Sequence, residues 1–169
     1  MVAVLTAVRF AAEKLGKLRL LVFGRNADSA QTSLQESLRG LPVVLHVSGV
    51  LPETEVERLL RSSDVLLFVR GPISSRRGSA IAGIACGLPV IAFAGSETAA
   101  PITDAGVVLV PGGNKTALGE ALVRVLSDRE YHARLAERSR VAYKNHFSWS
   151  AIAARYASLL KAPLETGKS

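Results

Sequence analysis

An α/β domain built on a doubly wound parallel sheet is the fold this sequence predicts, with all of it in one domain. Three observations carry that expectation. Five apolar runs of strand length recur about 20–25 residues apart. They are apolar nearly throughout instead of alternating, as strands covered on both faces are. The stretches between them have helical spacing. Strands that alternate with helices form a parallel sheet through right-handed crossovers, giving a Rossmann-like architecture. In such sheets ligands bind at the carboxyl ends of the strands.

Residues 3–15 place Leu5, Val8, Ala12 and Leu15 on one face, an amphipathic helix ended by Gly16. LRLLVF (18–23) follows as a strand stopped at Gly24. A helix is expected over 29–39, closed by Gly40, and VVLHV (43–47) is the next strand. Pro52 opens a short helix, PETEVERLLRS, with Val56, Leu59 and Leu60 inward, because proline suits a first helical turn. VLLFV (65–69) reads as a strand buried on both faces. After a loop come a helix over 78–86 and the strands PVIAF (89–93) and VVLV (107–110). Three helices finish the chain at 115–127, 128–144 and 148–160, with Asp128 and Ser148 capping the last two. The domain is expected to span 1–162, with 163–169 as a frayed tail.

Composition narrows the function classes. Hydrophobic residues make up 49% and charged residues 21%, as in a folded globular chain. No apolar stretch reaches the ~18–20 residues of a membrane span. The apolar opening is interrupted by Arg9 and Glu13 and carries no small-residue cleavage site, so it reads as a helix start. Cys86 is the single cysteine, which rules out an internal disulfide or a cysteine metal cluster and fits a cytosolic setting. A formal net charge of +7 favours anionic partners. In 129–144, however, the basic residues sit among glutamates at helical spacing, the pattern of a solvated helix face. Nucleic acid is therefore not the expected partner, and a basic nucleic-acid-binding protein is the third reading. Neither a dinucleotide fingerprint nor a P-loop occurs, and no His/Asp/Glu set suggests a metal, so no cofactor is expected.

The most informative stretch is RGPISSRRGSAIAGIACGLPVIAF (70–93). It leaves a strand, crosses a loop rich in Gly, Ser and Arg, and enters a helix near Gly78. A helix amino terminus offers unpaired N–H groups and a favourable dipole to an anion. Gly78 would let the backbone approach a phosphate, Ser79 can donate a hydroxyl, and Arg76 or Arg77 can form a charge-assisted pair. The small residues of AIAGIACG suit tight packing on the sheet. An ordinary surface loop with two exposed arginines is the bland alternative.

Ala80–Ala92, AIAGIACGLPVIA, resembles the LEAMACGLPVIA signature of family 4 (group 1) glycosyltransferases with the GT-B fold. The likeness continues on both sides, in SGVLPETEVERLLRSSDVLLFV, in AGSETAAPITDAGVVLVPGGNKTALGEAL and in FSWSAIAARYASLL. What it implies is the carboxyl-terminal, donor-binding half of a retaining glycosyltransferase, whose partner is a nucleoside diphosphate sugar. The transferred group would be a hexose. Backbone groups at Gly49, Val50 and Leu51 would meet the nucleobase. Ser74, Ser75, Arg76, Arg77, Gly78 and Ser79 would surround the sugar and diphosphate. Gly24 and Arg25 lie on the same edge, and Glu97 either reaches the donor pocket or stands in solvent. Catalytic residues, base, sugar and acceptor stay unassigned.

Two departures from the family pattern matter. Many members carry two glutamates separated by seven residues, and Ser74 and Ala82 stand at those positions. The family also places a strand with Gly-Arg and Lys-Gly before the first helix, and an acceptor domain before that. This chain begins at the helix. The expectation is a fragment that does not turn over without its amino-terminal acceptor domain, with peripheral membrane association of the full enzyme left open. The alternative is a degenerate, non-catalytic nucleotide-sugar-binding domain. Elsewhere His46 reads as a core histidine, His132 and His146 as helix-surface residues, and Cys86 as a small buried hydrophobe. Trp149 is expected to anchor the last helix, base stacking being the lesser alternative.

Overall fold

The computed structural model describes residues 2–161. The tail expected from residue 163, like the last residue of the expected domain, 162, lies outside the described residues. The chain runs from helix α1 (Val2–Leu15) into strand β1 (Leu18–Phe23), a 3-10 turn (Asp28–Ala30), α2 (Gln31–Ser37) and β2 (Val43–Ser48). Next come α3 (Glu53–Arg61), β3 (Leu66–Pro72), α4 (Gly78–Ala85), β4 (Val90–Phe93) and β5 (Val107–Val110). Helices α5 (Lys115–Ser127) and α6 (Arg129–Ala142), a π-turn (Tyr143–Phe147) and α7 (Trp149–Lys161) complete it.

Every strand pair is parallel, as the long helical connections require. The pairs form two ladders, β1–β2 and β3–β4–β5, and not the single sheet expected from the spacing. β4 shows why a parallel strand is apolar throughout. Ile91 and Phe93 enter one core with Ala7, Ala11, Leu118 and Val125, while Val90 and Ala92 enter the other with Ile73, Ile84 and Ile102. Each fully buried aliphatic side chain of this kind contributes about 1.5–3 kcal/mol.

Local chemistry sets the boundaries. Gly16 takes φ +83° and its amide donates to the Ala12 carbonyl, ending α1 in a left-handed turn. Asp128 Oδ1 accepts from Tyr131 N at 2.8 Å, and Ser148 Oγ accepts from Ala151 N at 3.2 Å, the two caps expected. Asn114 caps α5 in the same way, a role its position just before the helix announces. α4 packs on β3 through Gly83, where a Cβ would fall 2.5 Å from Leu66 Cδ2. That is the reason for its small residues.

Several expectations are corrected. α1 buries Ala7, Val8, Ala11 and Ala12, with Leu5 and Leu15 only half-buried, because it lies close against α5, where Gly119 faces Phe10. The helix expected over 29–39 is a single turn followed by the short α2, ended by the turn into Gly40 at φ +77°. α6 stops at Ala142 and continues as the π-turn. Strand β3 is not buried on both faces; only Phe68 in it is buried. His46 is exposed on the outer strand β2, with Nε2 3.1 Å from Ser48 Oγ, and is no core histidine. Cys86 is only half-buried, though burial still pushes its thiol pKa up. Trp149 is 85% exposed and does not anchor the helix, since no element among the described residues covers it. His132 instead ties α6 to the chain before β3, its Nε2 2.8 Å from the Asp64 carbonyl.

Ser139 holds α6 to the sheet. It is fully buried, and its Oγ donates to the Leu88 carbonyl at 2.7 Å. Ser139→Ala leaves that carbonyl without its partner and should lower stability by about 1–3 kcal/mol, measured by urea unfolding. An unchanged midpoint would show that the bond contributes nothing.

Candidate functional site

The loop after β3 gains its shape from a break in strand pairing. Phe68 pairs with Ala92 and Pro72 with Phe93, so Val69, Arg70 and Gly71 bulge between adjacent partners. Gly71 accommodates this at φ +111°. The bulge carries Arg70 to the mouth of a cleft of about 370 Å³, lined by Phe68, Arg70, Arg76, Arg77, Gly78 and Ser79. Arg70 was not among the residues singled out from the sequence, which ended the strand at Val69.

The loop is pinned from behind. Ile73 N donates to the Phe93 carbonyl at 2.9 Å. Thr98 Oγ1 donates to the Ile73 carbonyl at 2.7 Å and accepts from Gly95 N at 3.0 Å. Gly95 lies so close to Pro72 that a Cβ would overlap the proline ring. The loops after β3 and β4 therefore behave as one unit. Ser75 through Ser79 are exposed, whereas Ser74 is buried and its Oγ has no hydrogen-bond partner among the described residues.

α4 begins at the cleft without a side-chain cap: Arg77 is its N-cap residue and makes no capping bond. Beyond its chain neighbours and the backbone of its own helix turn, no described atom lies within 4 Å of where a Gly78 Cβ would stand, so nothing from elsewhere in the fold blocks the approach to these first amides. Arg77 Nη2 lies 3.8 Å from the corresponding point above Gly71. Arg76 is engaged differently, in an ion pair with Glu97 across the two loops. The hydrogen bond from Arg76 holds the Glu97 carboxyl below the usual glutamate range and raises the Arg76 pKa in turn. Arg70 and Arg77 have no carboxylate partner among the described residues.

Glu97 is exposed, and its ion pair with Arg76 sets it beside the cleft. Because its folded pKa is depressed, the pair persists at neutral pH and is lost only as pH falls through that lowered value. The NMR-titrated midpoint of Glu97 should move up in Arg76→Ala. A midpoint indifferent to that change would mean that the pair does not form in solution.

The other expected contacts form a separate group at the end of the first ladder. Gly24 N donates to the Ser48 and Gly49 carbonyls at 3.3 and 3.0 Å, which joins the Gly24–Arg25 turn to Gly49. A Cβ on Gly49 would stand 2.6 Å from Asp28 Oδ2, so this corner is tightly filled. Val50 is 77% exposed beside it, and Leu51 is half-buried. A second cleft, about 320 Å³, runs along β5 and α5. Its walls are mainly apolar, and its one arginine, Arg124, lies over the Tyr131 ring at 4.2 Å, so it offers an anion little. Among the described residues no group of three or more His, Cys, Asp or Glu could hold a metal ion.

A model of the family Glycosyl transferases group 1 matches residues 2–142, most of the chain. The chain belongs to the group 1 glycosyl transferases. As a member of that family it is a transferase domain, and its fold is that of the carboxyl-terminal half of such enzymes. The C-terminal domain of a glycosyl transferase group 1 family protein (LpcC) from Francisella tularensis superposes with a TM-score of 0.70 at 15% identity. That match covers 87% of this chain and 78% of that one. Sucrose-phosphate synthase from Thermosynechococcus elongatus gives a TM-score of 0.68 at 23% identity, over 93% of this glycosyltransferase domain and 41% of the synthase. The Anabaena protein HepE, solved in complex with UDP, gives 0.71 at 16% identity, over 95% of this chain and 44% of its own. The domain therefore spans less than half the length of these two relatives. No curated protein sequence matches it. No helix among the described residues of this glycosyltransferase domain is long and apolar enough to cross a membrane.

Proposed function

We propose that this domain binds the nucleoside diphosphate sugar donor of a retaining, hexose-transferring glycosyltransferase, with the diphosphate on the arginine cleft. The observation that carries the reading is the meeting of Arg70, Arg76 and Arg77 with the uncapped start of α4 in one open cleft. Guanidinium forks match phosphate oxygens, and helix amides add a dipole aimed at the same charge. As the donor bond breaks, negative charge grows on the departing diphosphate, and fixed cations there would favour that change. Gly49, Val50 and Leu51 would contact the base through their backbone, with Gly24 and Arg25 beside them. Ser75, Gly78 and Ser79 face the sugar and phosphates.

Transfer itself is assigned to a longer protein that also holds the acceptor, so turnover by this chain in isolation is not expected. The exposed apolar side chains of α7, Trp149, Tyr156, Leu159 and Leu160, suit a contact with that acceptor domain. A cytosolic enzyme that associates with a membrane surface is compatible with this arrangement. The second reading, a degenerate binder without catalysis, draws on two positions. Ser74 is buried, and the Ala82 side chain offers no hydrogen-bond acceptor, at the two positions where the family pattern that the sequence resembles often has glutamates.

Calorimetric titration with UDP-, GDP- and ADP-sugars tests donor binding. Saturable binding to one of them, lost in the Arg76→Ala/Arg77→Ala double variant, is the expected result. Failure of all three to bind, together with salt-dependent binding to DNA or RNA, would overturn both readings.

A further inference from the structure

The corner assigned to the base holds an acidic side chain that has found no function so far. Gly24 N donates to the Ser48 and Gly49 carbonyls, and Ala27 N donates back to the Gly24 carbonyl at 3.1 Å. These bonds close a tight turn through Asn26 at φ +64°, and buried Ala27 anchors its far side. The next residue, Asp28, opens the 3-10 turn and is exposed, with its carboxylate set against Gly49. Oδ2 and Oδ1 lie 2.6 and 3.6 Å from the point where a Gly49 Cβ would stand. The glycine is therefore what lets the carboxylate come so close to this backbone. Asp28 takes part in no ion pair among the described residues. Nearby hydroxyls are committed elsewhere, Ser29 Oγ to the Asn26 carbonyl at 2.8 Å and Ser48 Oγ to His46 Nε2 at 3.1 Å.

We propose that Asp28 selects the base of the donor nucleotide, and that the base is guanine. The inference rests on the donor-binding reading above, in which Gly49, Val50 and Leu51 meet the base through their backbone. An ionised carboxylate only accepts hydrogen bonds, through two oxygens side by side. Its best partner is an edge with two adjacent N–H donors. Guanine presents such an edge, with ring N1–H beside the N2 amino group. Uracil places its one N–H between two carbonyl oxygens, which a carboxylate repels. Adenine and cytosine set an amino group beside a bare ring nitrogen, one donor next to one acceptor. Guanine thus takes a bidentate, charge-assisted pair, whereas each other base leaves a carboxylate oxygen facing an acceptor. The distribution of charge agrees. Arginines line the cleft that would take the anionic end of the ligand. The carboxylate, which would repel a phosphate, stands instead at the corner where the base would bring its N–H donors.

Isothermal titration with the diphosphates of guanosine, inosine, xanthosine, uridine and adenosine tests it. The parent should bind guanosine diphosphate at least ~10-fold more tightly than the uridine, adenosine or inosine compound, inosine lacking only the N2 amino group. Asp28→Asn turns one acceptor into a donor. It should weaken guanosine diphosphate binding at least ~10-fold and make xanthosine diphosphate, with an oxygen in place of that amino group, the preferred ligand. Loss of structure cannot produce such a reversal. Should the variant not fold, the preference of the parent still decides. Arg77→Ala, by contrast, should weaken all five ligands by a common factor. Equal affinity of the parent for the guanosine and uridine compounds, or for the guanosine and inosine compounds, would overturn the inference and leave the diphosphate on the arginine cleft. So would an Asp28→Asn protein whose losses are the same for every base. Failure of all five to bind would overturn the donor-binding reading, and this inference with it.

Discussion

Gly106→Ala is expected to lower the unfolding free energy by about 3 kcal/mol or more, although it adds a single methyl group. That Cβ would fall on the Leu135 carbonyl oxygen and stand 2.6 Å from Ser139 Oγ. A flexible side chain could turn aside, but a carbonyl within α6 cannot, because it is part of the helix ladder. The Gly106 carbonyl is also fixed, accepting from Val90 N at 2.9 Å at the start of β4 and β5 pairing. Either α6 lifts from the sheet, breaking the Ser139–Leu88 bond, or β5 shifts against β4. Overpacking of a filled core costs about 1–3 kcal/mol and sometimes more, and here a buried hydrogen bond is lost with it. Gly112→Ala is the control, since its nearest neighbour beyond the adjacent residues is the Ala94 carbonyl at an ordinary 3.9 Å. It should stay within about 0.5 kcal/mol of the parent. Urea unfolding of the three proteins decides, and equal midpoints for Gly106→Ala and the parent would refute the packing account.

Arg70→Ala and Arg77→Ala should each weaken binding of the donor nucleotide about 10- to 100-fold, whereas Arg76→Ala should weaken it only a few-fold. Charge-assisted hydrogen bonds contribute about 1.5–3 kcal/mol each, which sets the first figure. The asymmetry follows from Glu97. Its carboxylate already holds the Arg76 guanidinium, so a phosphate must compete with it there, while Arg70 and Arg77 have no such competitor among the described residues. Glu97→Gln removes that competitor and one negative charge beside the cleft, and should tighten binding a few-fold at low salt, less as salt screens it. Isothermal titration with UDP, GDP and ADP at fixed ionic strength provides the comparison. Equal losses for Arg76→Ala and Arg77→Ala would mean that Glu97 releases Arg76 on binding.

How much of this was legible in advance differs from element to element, and the differences have causes. The strands and most helices were readable because a parallel strand carries an unbroken apolar run, whether fully buried as in β4 or only partly as in β1 and β3, while a helix leaves a periodic one. The caps at Asp128 and Ser148 were readable because capping is local chemistry. The exposure of Trp149 and His46 was not, since an apolar or aromatic residue at a suitable position says nothing about whether a partner covers it. Arg70 escaped notice for a related reason. Its neighbour Gly71 hinted at a bulge, but a strand's register against its partner is a matter of two segments, not one.

The arginine-rich stretch at 70–79 draws the same line. Residue type and order were enough to mark a basic loop entering a small-residue helix, because those properties act through neighbouring residues. Which arginine is held by Glu97, which lie open, and how the loops after β3 and β4 are tied through Thr98 depend on residues more than 20 positions apart. The split of the strands into two ladders is equally non-local. Apolar runs announce that strands exist and are meant to be covered. Only their arrangement in space, where hydrogen bonds must find partners across the chain, reveals that among the described strands β1 and β3 do not pair with each other.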